Sequence, residues 1–111
     1  MNEGRILQLK QFIEEDPKDL FSHYALALEY KEEMPEEAIS QFEKIIEINP
    51  GYTALYYHLA ESYLETDQIE KARKTYVSGI EIIEKAGNAH ALKELKNAYQ
   101  NFLFEYDWSA N

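Results

Sequence analysis

Apolar residues recur along this chain at intervals of three and four, and the spacing restarts at each cluster of Pro, Gly, Asn or Asp. From Arg5 to Glu15 the apolar positions are Ile6, Leu9, Phe12 and Ile13, which is a helix period. Asp16-Pro17 ends that stretch. The spacing predicts Asp16 as the N-cap of a second helix, with Asp19 three residues on and Pro17 at the first helical position, running to about Glu33. Pro35 opens a third helix that stops at Asn49-Pro50-Gly51. A fourth covers about Tyr52 to Glu65. Asp67 caps a fifth, with Glu70 at the reciprocal capping-box position and Gly87 as the stop. Asn88 caps a sixth, reaching about Tyr106. The stretch HYALALEY, His23 to Tyr30, alternates in twos like a strand, but no β-rich segment supports that reading. The prediction is an all-α chain of about six helices joined by short turns.

The same pattern repeats at a distance of 33 to 34 residues. HYALALEY laid over YYHLAESY, Tyr56 to Tyr63, matches Tyr24 with Tyr57, Leu26 with Leu59, Ala27 with Ala60 and Tyr30 with Tyr63. The following helices match too: Ala38 and Phe42 in EEAISQF correspond to Ala72 and Tyr76 in EKARKTY. A period of this length made of two helices is the unit of a solenoid. In these residues the chain resembles the tetratricopeptide repeat family, whose pattern is W-x2-L-G-x2-Y, then A-x3-F, then P. The first repeat carries His23, Leu26, Ala27, Tyr30, Ala38, Phe42 and Pro50; the second carries Tyr56, Leu59, Ala60, Tyr63, Ala72, Tyr76 and Gly79. His23 replaces the aromatic opener, and Glu84 stands where a proline often closes the unit.

Two alanines among aromatic rings now make sense. Ala27 and Ala60 are expected where paired helices cross, with Ala38 and Ala72 facing them and Tyr30, Phe42, Tyr63 and Tyr76 filling the space beside each crossing. The expected organisation is one helix-turn-helix repeat α-solenoid over 1–111: a flanking helix at 1–16, repeats at 17–51 and 52–86, and a capping helix and tail at 87–111. The first helix precedes Pro17 as the third precedes Pro50, so it acts as the second half of a missing repeat. The sixth has Lys96 at the small-residue position, which suits an end of the stack.

Charge and composition narrow the function. The net charge is −10, spread over the whole length, which opposes binding to phosphate backbones and favours basic partners. An RNA-binding helical repeat is therefore the least favoured reading. Cysteine is absent, which removes disulfides, thiolate metal sites and cysteine nucleophiles. MNEGRILQLK lacks the features of a signal peptide, and no apolar run is of membrane-spanning length. A soluble cytoplasmic protein with no membrane or nucleic-acid partner is expected.

Nor does the sequence offer catalytic chemistry. His23, His58 and His90 fall on three different helices; His23 sits at a packing position, and the other two are read as surface residues. No HExxH pair, calcium loop, phosphate loop or G-x-S-x-G is present. No enzyme, metal or cofactor is expected. The resemblance implies instead a concave groove, lined by the first helix of each repeat, that holds a peptide. Carried over, its residues are Tyr24, Leu28 and Lys31 from the first repeat and Tyr57, Glu61, Leu64 and Glu65 from the second. Lys93, Asn97 and Gln100 join from the sixth helix. Tyr24 and Tyr57 would form a stacked ledge with carboxylates beyond it. The lysine–asparagine–arginine clamp with which one branch of the family docks acidic tails is not met, and Glu61 would repel a carboxylate. The expected partner is a basic or mixed apolar-basic protein segment, and the expected role that of an adaptor, scaffold or assembly factor. A second reading stays open: Leu103, Phe104 and Trp108 exceed what the sixth helix needs, and either fold back on it or cover a second copy. A monomer is expected, with a homodimer as the alternative.

Overall fold

The computed structural model describes residues 1–106. Six helices follow one another: α1 (Glu3–Glu15), α2 (Leu20–Tyr30), α3 (Pro35–Ile48), α4 (Leu55–Glu65), α5 (Ile69–Ala86) and α6 (Ala89–Tyr106). Among the described residues there is no strand. Each helix packs on the next in the chain, and α4 also reaches α6. The result is a stack measuring 49 × 30 × 20 Å. The fold is an all-α helical repeat, with α2–α3 and α4–α5 as the two helix pairs.

Local chemistry explains where the helices begin and end, and it corrects four expected boundaries. Asp16 is the C-cap of α1 and does not open α2. Its carboxylate accepts from Lys18 N at 3.2 Å and its carbonyl from Asp19 N at 3.0 Å, so Asp16-Pro17 is a turn. Asp19 then caps α2, accepting from Ser22 N at 3.3 Å and from Ser22 Oγ at 2.6 Å. At its other end α2 stops at Tyr30, three residues before the expected Glu33. Asp67 does not cap α5 either. It adopts φ 62°, a left-handed turn residue, and the cap position falls to Gln68 without a side-chain bond. Glu70 pairs with Arg73 at 3.1 Å instead of reaching back. Helix α4 begins at Leu55, three residues after the expected Tyr52, because Tyr52 N donates to the Asn49 carbonyl at 3.1 Å in a turn. Elsewhere the ends follow the sequence: Pro35 starts α3, Gly87 closes α5 at φ 76°, and Asn88 Oδ1 accepts from Ala91 N at 3.1 Å to cap α6.

The core runs from Ile6 and Leu9 on α1 to Phe102 on α6. Ala27, Ala38, Ala60 and Ala72 are all 0% exposed, and the large rings Tyr30, Phe42, Tyr63 and Tyr76 are buried beside them. Small residues let the helix backbones approach, and rings fill what remains. Gly79 extends this closeness to the third helix layer. A Cβ there would lie 2.7 Å from Tyr56 Cβ and 2.8 Å from Leu95 Cδ2, so α4, α5 and α6 meet at a point that only glycine leaves open. His23 takes the place of the aromatic opener as a buried, bonded ring: its nitrogens lie 2.8 Å from Gln41 Oε1 and 2.8 Å from the Pro17 carbonyl.

Candidate functional site

The residues expected for the groove lie on or beside α2, α4 and α6, and Tyr57, Glu61, Leu64 and Asn97 among them line one cleft. It is built from the backbone outward. Because α2 and α4 are successive first helices of a repeat, Tyr24 and Tyr57 emerge at equivalent turns. The two rings do not stack on one another as expected. His58 stands between them: its ring lies 6.0 Å from Tyr24, 5.4 Å from Tyr57 in an edge arrangement, and 6.3 Å from Phe42 in a parallel one. Tyr24 turns its other side to Tyr52 at 5.3 Å. The expectation of a surface His58 is thereby overturned. The aromatic set half-buries the imidazole, and burial followed by the charge of Lys31 holds His58 below the ordinary histidine range.

Lys31 follows the last turn of α2 and crosses to α4. Its ammonium pairs with Glu61, lies 2.9 Å from His58 Nδ1, and sits 5.9 Å from the centre of the Tyr57 ring. With a side chain only 16% exposed, it is a link between repeats more than a free cation. Next to this link, Tyr57, Glu61, Leu64 and Asn97 line an open cleft of about 380 Å³ between α4 and α6. Asn101, Glu94 and Glu105 add polar atoms to it, and Tyr76, Phe102 and Tyr106 add rings. The sequence reading missed these six and His58. An i+4 continuation from Asn97 through Asn101 to Glu105, with Glu94 one turn earlier, was the signal available for the α6 side.

The cleft is electrostatically negative. Tyr57 is raised above the usual phenol value, first by the charge of Glu61, then by burial and Glu94. Tyr76 is pushed up to about 12 by burial, with Glu61 adding to it. Of the remaining carried-over residues, Leu28 is 38% exposed on α2, and Glu65, Lys93 and Gln100 are exposed without lining the cleft. In the C-terminal set, Leu103 packs partly buried against the core while Phe104 is 79% exposed, so the two do not act together. Trp108 lies outside the described residues. Among the described residues no group of three His, Asp or Glu side chains could hold a metal ion, and no helix is long and apolar enough to cross a membrane.

Paired helices stacked over buried alanines define an α-helical repeat. The sequence profile of the tetratricopeptide repeat matches residues 29–99, and the chain belongs to that family. It is similar to a tetratricopeptide repeat domain protein from Salinibacter ruber. Against the solution structure of that protein the identity is 38%, over 78% of this chain and 89% of the other, with a TM-score of 0.72. Against its crystal structure the values are 36%, 76%, 94% and 0.70. The TPR2B domain of yeast Sti1, solved in complex with pHsp70, superposes with a TM-score of 0.81 over 90% of this chain and 81% of that one. Its identity is 19%, which speaks for the fold alone. Domains of this family commonly mediate protein–protein interaction and are generally non-catalytic.

Proposed function

We propose that this protein is a non-catalytic cytoplasmic adaptor or assembly factor that holds a segment of another protein on the α2–α4–α6 face. The observation that carries the reading is the convergence of Tyr57, Glu61, Leu64 and Asn97 on one cleft beside the Lys31–His58 link. Rigid helices hold these side chains in place before a partner arrives, so little ordering entropy is lost on binding. Tyrosines offer broad rings with polar tips, a suitable composition for a peptide site. The carboxylates and the net charge of −10 favour a basic or mixed apolar-basic segment and disfavour nucleic acid. The test is a tagged pull-down from the native lysate, comparing wild type with Tyr57→Ala/Glu61→Lys after circular dichroism has shown the variant folded. A protein lost only from the variant is the expected result; identical catches would overturn the reading.

One observation favours a second reading, self-association through the sixth helix: Phe104 is exposed over 79% of its surface. Sedimentation of wild type and Phe104→Ser at high concentration separates the two. A dimer that the substitution dissolves favours the second reading, and a monomer in both removes it.

A further inference from the structure

The two repeats differ at one matched place. His23 and Tyr56 are equivalent, and each bonds the carbonyl of the proline that precedes its helix, Pro17 or Pro50. An imidazole is smaller than a phenol, and beside His23 a cleft of about 300 Å³ lies between α1 and α3, with α2 as its floor. Ile13, Leu26 and Ile48 make it apolar, and Lys10 and Lys44 line it from opposite walls. In the repeat register Lys10 corresponds to Glu43 and Lys44 to Ser78, so the second repeat carries neither ammonium. Since Glu43 directly precedes Lys44, the two lysines stand at the same turn of equivalent helices. Among the described residues neither takes part in an ion pair, although the chain carries a net charge of −10. Glu47 is the one acid on the lining, which leaves the cleft net positive. His23 is 3% exposed and has both ring nitrogens taken, by Pro17 and Gln41, so it fixes the floor and leaves recognition to the lysines.

We infer that the α1–α3 cleft is a second binding site, which takes an acidic-apolar segment of another protein. An apolar side chain of that segment rests on Ile13, Leu26 and Ile48, and a carboxylate beside it accepts from the ammonium groups of Lys10 and Lys44. The apolar floor favours a carboxylate carried on an apolar body over a bare phosphate. Side chains two positions apart in an extended segment point the same way, so the acid and the apolar residue have that spacing. The cleft shares no lining residue with the one between α4 and α6 and is opposite to it in sign. One chain can therefore hold a basic segment at one site and an acidic one at the other. The inference goes beyond the proposed function, and neither needs the other to hold.

The test is selection of a display library of random linear peptides on the full chain. Enriched peptides are then measured by fluorescence anisotropy on wild type, on Lys10→Gln/Lys44→Gln and on Tyr57→Ala/Glu61→Lys. Circular dichroism first shows both variants folded; Lys10 and Lys44 are exposed, and glutamine suits a helix as well as lysine does. A set of peptides is expected in which Asp or Glu stands two positions from an apolar residue. The lysine double variant should weaken this set by about tenfold or more, as should Asn or Gln in place of its acid. The Tyr57→Ala/Glu61→Lys variant should bind it unchanged, and on wild type it should shift the amide resonances of His23 and Leu26. Enriched peptides without an acid, or acidic peptides that bind the lysine double variant equally well, overturn the site. So do amide shifts confined to α4 and α6. Peptides lost only to Tyr57→Ala/Glu61→Lys support the proposed function and still overturn this site, and no enrichment over bare support overturns it as well.

Discussion

The Lys31 ammonium donates a hydrogen bond to Nδ1 of His58 across 2.9 Å, joining the end of α2 to the middle of α4. Accepting at Nδ1 requires the neutral imidazole with its proton on Nε2. The rings of Tyr24, Phe42 and Tyr57 surround it, and Glu61 takes the same ammonium. A cation thus reaches over an uncharged ring to a carboxylate, and the arrangement depends on that ring staying uncharged.

Acidification is therefore expected to loosen the junction between the repeats. Burial and Lys31 lower the folded-state pKa of His58 against the opposing pull of Glu61 and Glu94. The unfolded chain takes up that proton more readily, near the ordinary value of about 6.5. The contribution of His58 is complete above that value and is lost as pH falls through the lower folded-state value. Urea midpoints measured from pH 7.5 to pH 5 should fall further in wild type than in His58→Gln. Parallel curves would show that the imidazole does not titrate against Lys31.

Ala60 is completely buried at the crossing of α4 with its neighbours. Ala60→Leu adds volume where no space remains and is expected to cost about 1–3 kcal/mol. Thermal unfolding checks it; an unchanged midpoint would mean that the helices do not cross there.

Gly79→Ala sets two effects against each other. Alanine is the better helix former by roughly 1 kcal/mol. Its methyl, however, would press on Tyr56 Cβ at 2.7 Å, an atom fixed to the α4 backbone, and on Leu95 Cδ2 at 2.8 Å. Overpacking of this kind costs about 1–3 kcal/mol, and the backbone-bound Cβ cannot move aside as a chain end can. We expect net destabilisation, read from the urea midpoint. A more stable variant would show that α4 and α5 can separate freely.

Ser62 is buried on α4, and its hydroxyl has no hydrogen-bond partner. An unpaired buried polar group costs on the order of 1 kcal/mol or more. Ser62→Ala is therefore expected to raise stability by about 1 kcal/mol, seen as a higher urea midpoint at unchanged slope. A loss would mean that the hydroxyl is bonded in solution.

Much of the architecture was legible before any coordinates. Helix period, proline and glycine breaks, and the matched alanines carry local information that a neighbouring helix does not need to supply. Ala27, Ala38, Ala60 and Ala72 could be placed at crossings because only small side chains suit that geometry. Capping was less legible. Asp16, Asp19 and Asp67 are alike in sequence, and which of them caps depends on backbone angles set over several residues. A turn at Asp16-Pro17 and the left-handed Asp67 decided that contest.

For the site, the repeat register led to Tyr24, Tyr57, Glu61, Leu64 and Asn97, because equivalent turns of equivalent helices face the same way. It could not lead to His58, since a polar residue after two tyrosines reads as solvent-facing until Phe42 and Lys31 arrive from other helices. The sequence by itself determined the repeat, the small-residue crossings and the negative charge, all of which are properties of periodicity and composition. The tertiary structure alone decided that Lys31 is spent within the protein, that His58 is half-buried among rings, and that Glu94, Asn101 and Glu105 join α4 in one cleft. Those outcomes depend on distances between helices, and a linear pattern holds no distance between residues that meet only through folding.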